Sequence, residues 1–355
     1  MSIQEFILAN SSHSFINGIY IKGGYTLSDL DIYGTHERSP NQWTKVNFQR
    51  IEFENIIYLK FHAPNNLLHF KILNSGILPS DDITPEFSFD YTKPRTLEEI
   101  IKHLSISKIA FVGCARNCAD NVTESINTLK SIARYFLEYK IIIFENDSID
   151  ETGALLSDLS KNKIIELIQH KNLDTSFPHR TQRLSYARNK LFSNVLSLNY
   201  DYYCVADLDG VIGKDFDCNT FLSNFKFLDC WDAVFPVNKG IYYDAWAFRH
   251  PTLWPWDYER EMNKISPILG DDNILEFYTT RFQNLNFRNL KGWLNVDSAF
   301  GGLGLYKIDK FKYSNYFGLS PSNQICEHVN FHEKAKVFGA QFYINPEFVV
   351  NGINK

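Results

Sequence analysis

The stretch Asp201-Tyr-Tyr-Cys-Val-Ala-Asp-Leu-Asp-Gly210 combines a core strand with two closely spaced carboxylates. Its first half is aromatic and β-branched, which predicts a buried strand from Tyr202 to Ala206. Residues i and i+2 of a strand point to the same side, so Asp207 and Asp209 converge beyond the carboxyl end if the strand continues through them. The alternative is an ordinary strand-ending turn, because Asp and Gly are common turn residues.

Two converging carboxylates repel each other unless a cation lies between them. Mg²⁺ and Mn²⁺ prefer hard oxygen ligands of this kind. Open α/β sheets bind their ligands at the carboxyl ends of the strands. The stretch therefore predicts a Mn²⁺ or Mg²⁺ site held by Asp207 and Asp209.

The sequence around this stretch alternates between apolar strands and amphipathic helices from Lys108 onward. Such alternation predicts a three-layer α/β sandwich with a mostly parallel sheet and right-handed crossovers. Predicted strands cover 108–113, 140–144, 163–168, 202–206, 232–237, 300–306 and 341–345, and predicted helices cover about 120–138, 150–160 and 180–198.

Residues 1–95 have a different character, with short β-type runs between Gly, Asn, Ser and Pro. They contain no catalytic motif, so we expect a small β-rich N-terminal domain or extension. Thr96 and Glu99 form a capping-box pattern, which predicts a linker helix within 96–106. The α/β domain is then expected to occupy 107–355.

Composition restricts the class of protein. Of 355 residues, 44% are hydrophobic and 22% are charged, as in globular domains. The net charge of −5 argues against nucleic-acid partners. Six cysteines without zinc-site spacing indicate reduced thiols. No signal peptide and no run as long as a membrane span are present. We expect a cytoplasmic protein, and peripheral attachment to a membrane stays open.

Two further strands end in polar residues that could reach the same edge of the sheet. Glu145 and Asp147 follow the second strand of the α/β region, where a nucleotide could use them as acceptors. Arg116 follows the first strand and could meet a diphosphate. Arg180, Arg183 and Arg188 lie in the third predicted helix, and arginine suits bidentate phosphate contacts. A solvent-facing charge is the alternative for each arginine.

These motifs together resemble the GT-A fold glycosyltransferases, which use sugar nucleotides. A strand ending in Glu-Asn-Asp-Ser-x-Asp-x-Thr (145–152) is followed by a helix with Arg-x-x-x-Ala-Arg-Asn (183–189) and a strand ending in Asp-x-Asp (207–209). The resemblance covers about residues 107–349. Within these glycosyltransferases, the chain is most similar to the capsule and lipopolysaccharide mannosyltransferase-like group. This resemblance implies a GT-A-type, Rossmann-like fold and a hexosyltransferase activity.

The resemblance also implies partners and roles. The donor would be a nucleoside-diphosphate sugar, with GDP-mannose as one candidate, and the acceptor a glycan or lipid-linked glycan in surface polysaccharide assembly. Asp207 and Asp209 would hold Mn²⁺ or Mg²⁺ on the donor diphosphate, with Asp209 essential to catalysis. The metal would stabilise the charge that develops on the leaving diphosphate.

The late motif Cys326-Glu-His328 resembles the acidic segment beside the acceptor in that family. Glu327 matches the carboxylate that serves as base or orienter, and His328 stands where many relatives have Asp. In a helix, His328 and His332 share one face, so one of them could be a third metal ligand, and a structural or surface histidine is the alternative. Glu327 as base favours inversion of configuration, whereas the likeness to α-mannosyltransferases favours retention.

Sugar recognition is expected in two further segments. Residues that resemble the family's Tyr-Asp-x-Trp-Ala-x-Arg segment are Tyr243, Asp244, Trp246 and Arg249. Gly301 and Gly302 belong to a glycine-rich segment that would let the backbone approach a sugar. Two other functions stay open, a nucleotidyltransferase and a non-catalytic glycan-binding relative. The first would need a richer phosphate loop than Gly113-Cys-Ala-Arg116, and the second would be expected to lack the acidic cluster.

Overall fold

The computed structural model describes residues 2–7, 16–22, 30–35, 43–53, 56–65, 69–74, 83–87, 94–240, 242–250, 254, 257–270, 287, 290, 292–319 and 324–351. The chain divides into two compact units. The first comprises Met1–Pro94 with Val337–Gly339, and the second comprises Arg95–Lys336 with Ala340–Lys355.

The first unit contains two antiparallel four-stranded sheets. Its described strands are β1 (Ser2–Ile7), β2 (Ile16–Lys22), β3 (Asp31–Thr35), β4 (Thr44–Val46), β5 (Phe48–Phe53), β6 (Ile56–Asn65), β7 (His69–Asn74) and β8 (Ile83–Phe87). The strand orders are β1-β7-β3-β4 and β5-β6-β2-β8. Alternate residues such as Ile57, Leu59 and Phe61 on β6 are buried, as expected for strands with one face on a core. Ile32 and Ile72 from the other sheet belong to the same core cluster, so the two sheets form a sandwich.

The second unit is built on one eight-stranded sheet. Its strands are β9 (Lys108–Ala115), β10 (Glu138–Asn146), β11 (Glu166–His170), β12 (Tyr202–Ala206), β13 (Ala233–Asn238), β14 (Leu294–Asn295), β15 (Leu303–Lys307) and β16 (Phe342–Val350). The order is β11-β10-β9-β12-β15-β13-β16-β14. The first four strands in this order are mutually parallel, whereas β15 runs antiparallel to both of its neighbours.

Amphipathic helices connect these strands. They are α1 (Leu97–Leu104), α2 (Ala119–Ala133), α3 (Thr152–Lys161), α4 (Leu173–Ser176), α5 (Arg180–Leu196), α6 (Cys218–Leu222), α7 (Tyr258–Leu269) and α8 (Glu327–Val337). The predicted capping box is present at α1, where Thr96 and Glu99 exchange hydrogen bonds. On α2, buried Val122, Ile126 and Leu129 recur at helical spacing and cover the sheet.

The predicted α/β fold with a mostly parallel sheet and a β-rich N-terminal region is confirmed. Differences lie at the element ends. The first helix after β9 ends at Ala133 rather than near 138, because Glu138 already belongs to β10. Strand β15 begins only at Leu303, since Gly301 and Gly302 adopt positive φ angles of 67° and 91° that a strand cannot contain. Among the described residues, no helix is both long enough and apolar enough to cross a membrane.

Candidate active site

A cavity of about 420 Å³ opens at the carboxyl ends of β9, β10 and β12. Parallel strands present their carboxyl ends at one edge of a sheet, so loops that are distant in sequence meet there. The lining residues are Cys114, Ala115, Arg116, Cys118, Asn146, Arg180, Arg183, Leu184, Ala187, Arg188, Asp207, Leu208, Asp209, Tyr243, Asp244, Trp246, Phe300, Cys326, Glu327 and His328.

Asp207 and Asp209 both line this cavity, as their spacing predicts. Strand β12 ends at Ala206, but the Asp207 amide still donates a 2.9 Å hydrogen bond to the Gly302 carbonyl, so pairing continues one residue further. Leu208, between the two carboxylates, is buried. The turn after them requires glycine at position 210, whose φ is +103°.

Asp207 lies in a mixed electrostatic environment. The Arg188 guanidinium is 3.6 Å from its carboxylate, and the Tyr243 hydroxyl donates a 3.4 Å hydrogen bond to it. Burial, together with the nearby Asp209 and Asp244, raises the pKa of Asp207 to about 7, although Arg188 acts to lower it. A carboxyl group with this pKa gains from a cation placed between it and Asp209.

The two carboxylates fit a divalent cation of the Mg²⁺ or Mn²⁺ type. Such ions keep several waters and need one or two protein carboxylates plus substrate phosphates. In the described part of the chain, no three His, Cys, Asp or Glu side chains converge closely enough to hold a metal by themselves. A ligand set of two aspartates completed by a diphosphate is consistent with that finding, whereas His328 as a third ligand stays a prediction.

Arg188 connects the strand end to α8. Its side chain is 6% exposed and forms an ion pair with Glu327, whose side chain is 5% exposed, in addition to the contact with Asp207. The guanidinium also lies 5.2 Å from the centre of the Phe300 ring. We refer to Asp207, Arg188 and Glu327 as the central ion chain. The positive charge of Arg188 is therefore already balanced by the carboxylates of Asp207 and Glu327.

Two other predicted arginines share one carboxylate. Arg116 makes two hydrogen bonds of 2.9 and 2.6 Å to Asp174, and Arg183 Nε lies 3.0 Å from the same group. The hydrogen bond from Arg116 holds the pKa of Asp174 below its usual range. Arg183 also donates to the carbonyls of Phe177 and Pro178, at 2.8 Å each. Both arginines line the cavity, but their charge is partly engaged.

Arg180, the third arginine predicted from the sequence to contact phosphate, also lies at the cavity. It is the first residue of α5, is exposed and lines the cavity, and makes no hydrogen bond or ion pair to another described residue. Its guanidinium is thus available to an anionic ligand. Its position at a helix start, where anions bind favourably, agrees with that prediction.

Glu145 and Asp147 are not among the cavity-lining residues, whereas Asn146 between them is. Glu145 accepts hydrogen bonds from the Ser148 amide and from Gln169. Asp147 accepts from two backbone amides at the start of α4, at 2.6 and 2.8 Å. Both carboxylates therefore hold loops in place. Their contact with a nucleotide stays a prediction.

The segment with Tyr243 and Asp244 is held by the glycine-rich turn. Asp244 accepts a 3.1 Å hydrogen bond from the Gly301 amide. A Cβ at Gly302 would lie 2.5 Å from the Tyr243 hydroxyl and 2.4 Å from Val211, so only glycine fits. Gly301 and Gly302 are not cavity-lining residues themselves. They position Tyr243 and Asp244, which are.

Trp246 and Arg249 differ in placement. Trp246 lines the cavity, and its buried indole N–H has no partner among the described residues. Arg249 is absent from the lining; it donates to the carbonyls of Trp246 and Phe248 and pairs with Asp257 at 2.7 Å. The structure therefore brings Trp246 to the cavity, while Arg249 braces the loop that carries it.

The chain is similar to known proteins over part of its length. Residues 111–285 match the model of Glycosyl transferase family 2. Comparison with curated proteins gave no match. Among solved structures, the mannosyltransferase PcManGT from Pyrobaculum calidifontis, in complex with GDP-Man and Mn²⁺, is similar with 12% identity and a TM-score of 0.44, over 74% of this chain and 59% of that one.

Two other solved structures are similar to this chain. TarS 1-349 from S. aureus, in complex with UDP-GlcNAc, has 14% identity and a TM-score of 0.38 over 68% of this chain and 57% of that one. Glucosyl-3-phosphoglycerate synthase from Mycobacterium tuberculosis, in complex with UDP, has 10% identity and a TM-score of 0.39 over 76% and 79%. The chain thus spans less than two thirds of the length of PcManGT and of TarS 1-349.

The family match spans most of the α/β unit from β9 onward, including the strand end with both cavity aspartates, and the GT-A-type fold expected from the sequence agrees with it. Residues 111–285, just under half of the chain, are thus similar to Glycosyl transferase family 2.

Proposed function

We propose that this chain transfers a hexosyl group from a nucleoside-diphosphate sugar to a hydroxyl of a glycan or lipid-linked glycan. The observation that carries the proposal is one cavity in which Asp207 and Asp209 lie beside four arginines. Carboxylates suit a divalent cation, and arginines suit a diphosphate. A donor with both a metal-bound diphosphate and a neutral sugar fits this combination.

The cavity residues would have different roles, according to the chemistry of their side chains. Asp207 and Asp209 would hold Mn²⁺ or Mg²⁺, which neutralises charge on the leaving diphosphate when bound. Arg180 supplies a cation at the cavity wall that has no partner among the described residues. The Trp246 N–H and the carboxylate of Asp244 line the same cavity and are suited to sugar hydroxyls. Presence of Asp207, Asp209 and Glu327 in one cavity favours an enzyme over a non-catalytic glycan-binding relative.

The finer assignment follows the sequence resemblance. It favours the capsule and lipopolysaccharide mannosyltransferase-like group, with GDP-mannose as the first donor to test. The acceptor would belong to surface polysaccharide assembly, and the enzyme would work in the cytoplasm or at the membrane surface as a peripheral protein.

A thermal-shift screen tests this function directly. UDP, GDP, CDP and their sugars are each added to the protein of residues 1–355, with and without Mn²⁺. We expect one nucleotide to raise the melting temperature selectively, and only when Mn²⁺ is present, because ligand binding to the folded state stabilises it. No shift with any nucleotide would contradict the proposal.

A further inference from the structure

Arg188 is a positive charge enclosed beside the two cavity aspartates. Its side chain is only 6% exposed, and its guanidinium lies 3.6 Å from the Asp207 carboxylate and forms an ion pair with Glu327. Asp207 is also one of the two carboxylates that fit a divalent cation. The same carboxylate is therefore next to a guanidinium and suited to a metal ion, and these two positive charges would repel each other.

The surroundings of Arg188 keep its charge at this place. The ring centres of Phe300 and Tyr316 lie 5.2 and 6.0 Å from the guanidinium carbon. Its helix neighbours Ala187 and Leu191 are buried in the core. Arginine also stays protonated at any physiological pH. Arg188 thus cannot reduce the repulsion by losing its proton, and it cannot turn into solvent without breaking these contacts.

Glu327 limits how strongly Arg188 binds Asp207. Nη1 of Arg188 donates a hydrogen bond to Oε1 of Glu327, whereas Nη2 is 3.6 Å from Asp207, beyond hydrogen-bond distance. The buried Nε–H of Arg188 has no partner among the described residues. Asp207 is therefore attracted by Arg188 without being hydrogen-bonded to it. Its oxygens stay available to a cation of higher charge, and the arginine keeps donor capacity for an anion in the cavity that it lines.

A nucleoside diphosphate changes this balance because it brings negative charge into the cavity. Its phosphate oxygens complete the coordination of a Mg²⁺ or Mn²⁺ ion. They also offset the positive charge of Arg188. Without the diphosphate, a divalent cation at Asp207 and Asp209 would meet the full repulsion of Arg188. Binding of the metal and of the nucleotide should therefore be coupled, and by thermodynamic linkage each raises the affinity for the other by the same factor.

We propose that Arg188 makes binding of the divalent cation depend on the donor, because it acts as the counter-cation of Asp207 in the donor-free protein. This inference rests on the proposed function. Arg188 keeps the affinity for the metal alone low, and Glu327 sets the size of this effect by holding the guanidinium back from Asp207. The cation then binds mainly together with the nucleoside diphosphate whose charge it neutralises.

The experiment measures Mn²⁺ binding to the protein of residues 1–355 by electron paramagnetic resonance of free Mn²⁺, first with MnCl₂ alone and then with UDP, GDP or CDP. The test variant combines Arg188→Met with Glu327→Gln, so that neither partner of the ion pair remains as an unpaired buried charge. We expect its dissociation constant for Mn²⁺ alone to be at least about tenfold lower than that of the wild type. Nucleotide should lower that constant by a smaller factor than in the wild type.

Two single variants complete the test. Glu327→Gln leaves Asp207 as the remaining carboxylate partner of Arg188 among the described residues, so its affinity for Mn²⁺ alone should fall, opposite to the double variant. Arg183→Gln is the matched control, because it removes another cavity arginine of α5 whose carboxylate partner is Asp174. Its dissociation constant for Mn²⁺ alone should stay within about twofold of the wild-type value. Circular dichroism establishes that each variant is folded, and Glu327→Gln decides the test if the double variant is not.

The outcomes separate this inference from the function on which it rests. The inference is wrong if the double variant binds Mn²⁺ alone no more tightly than the wild type, or if Glu327→Gln binds it more tightly. It is also wrong if Arg183→Gln gains the same affinity, since the effect would then belong to the charge of the whole cavity. A change confined to Mn²⁺ binding with nucleotide would make Arg188 a diphosphate ligand and nothing more. If the wild type binds no Mn²⁺ with any of the three nucleotides, the proposed function itself fails.

Discussion

Asp207 and Asp209 lie close together at the end of one strand, where some interactions favour their ionised forms and others oppose them. The β12 register places both at the cavity, where their charges repel and burial penalises ionisation. Arg188 and the Tyr243 hydroxyl offset part of that cost at Asp207. The remaining imbalance is what a divalent cation would relieve.

At the residue scale, the first prediction is that Asp209→Asn abolishes Mn²⁺-dependent nucleotide binding while the fold stays intact. Loss of a metal-binding carboxylate should weaken binding by roughly 100-fold or more, since even outer-shell partners of metal sites contribute 10–100-fold. Isothermal titration of the nucleotide with Mn²⁺ measures the effect. Asp215→Asn, an exposed aspartate after the same strand, is the control and should bind as wild type does. Full activity of Asp209→Asn, or of wild type in excess chelator, contradicts the metal assignment.

The second prediction concerns pH. Asp207 must be deprotonated to bind a cation, and burial raises its pKa to about 7. Mn²⁺-dependent nucleotide affinity should therefore fall about tenfold for each pH unit below 7. Without metal, the raised pKa means that Asp207 contributes stability below its unfolded pKa of about 3.9 and loses that contribution as pH rises through 7. Mn²⁺ should accordingly raise the melting temperature more at pH 8 than at pH 6, and an equal shift at both would refute this reasoning.

At the scale of the element, α5 organises three sides of the site. Arg180 at its start lines the cavity, Arg183 joins Asp174, and Arg188 enters the central ion chain. Asn189, the residue after Arg188, forms two 2.8 Å hydrogen bonds with the backbone of Tyr316. Since the Tyr316 ring contacts His328, this helix also orients the opposite wall of the cavity.

The third prediction compares two arginines of α5. Arg180→Gln should weaken nucleoside-diphosphate binding by about tenfold or more, because a charged hydrogen bond contributes about 1.5–3 kcal/mol. Its melting temperature should not change, since Arg180 has no partner among the described residues. Arg183→Gln should instead lower the melting temperature, because it removes one of the two arginines that bind Asp174 and the guanidinium that donates to the carbonyls of Phe177 and Pro178. Titration and thermal unfolding of both variants test the contrast, and the reverse pattern would contradict it.

The fourth prediction concerns α8. Glu327→Gln should lower the transfer rate moderately, by about 10²-fold or less, short of a full loss of general base catalysis. It should also lower the melting temperature, because removal of one partner of a buried ion pair leaves a charge uncompensated. Glu327→Asp, which keeps the charge, should be milder in both respects. Steady-state kinetics and thermal unfolding of both variants test this prediction. An inactive Glu327→Gln enzyme with an unchanged melting temperature would contradict it and indicate that Glu327 is the base.

At the scale of the whole molecule, the chain consists of a β-sandwich unit and an α/β unit. Every residue that lines the cavity belongs to the α/β unit, and the family match begins at residue 111. Nothing in the sequence of the first 95 residues suggests catalytic chemistry. A role in acceptor binding or assembly is the remaining hypothesis for the sandwich.

The fifth prediction follows from this division. A variant that lacks residues 1–93 should bind the nucleoside diphosphate with an affinity within about twofold of the full chain, because distant and independent sites behave additively. It keeps Arg95, whose amide and side chain bond to Lys226 and Asp229 in the same unit. Circular dichroism establishes that the variant is folded. A folded variant without nucleotide affinity would show that the sandwich is part of the donor site.

The sequence by itself determined the alternation of strands and helices, the α1 capping box and the convergence of Asp207 and Asp209. These features depend on local periodicity and on residues two to four positions apart, which a single sequence displays directly. The sequence also indicated which motifs would meet, since carboxyl ends of parallel strands share one edge.

Only the tertiary structure decided which of those side chains are already paired with other groups of the protein. Arg188 finds Glu327 139 positions away, and Asp174 engages both Arg116 and Arg183, so arginines that look free in the sequence are partly neutralised. Arg180, His328 and the indole N–H of Trp246 line the cavity and have no hydrogen-bond partner among the described residues. Whether a charged or polar group is free depends on burial and on contacts over long sequence separations, and local pattern contains neither.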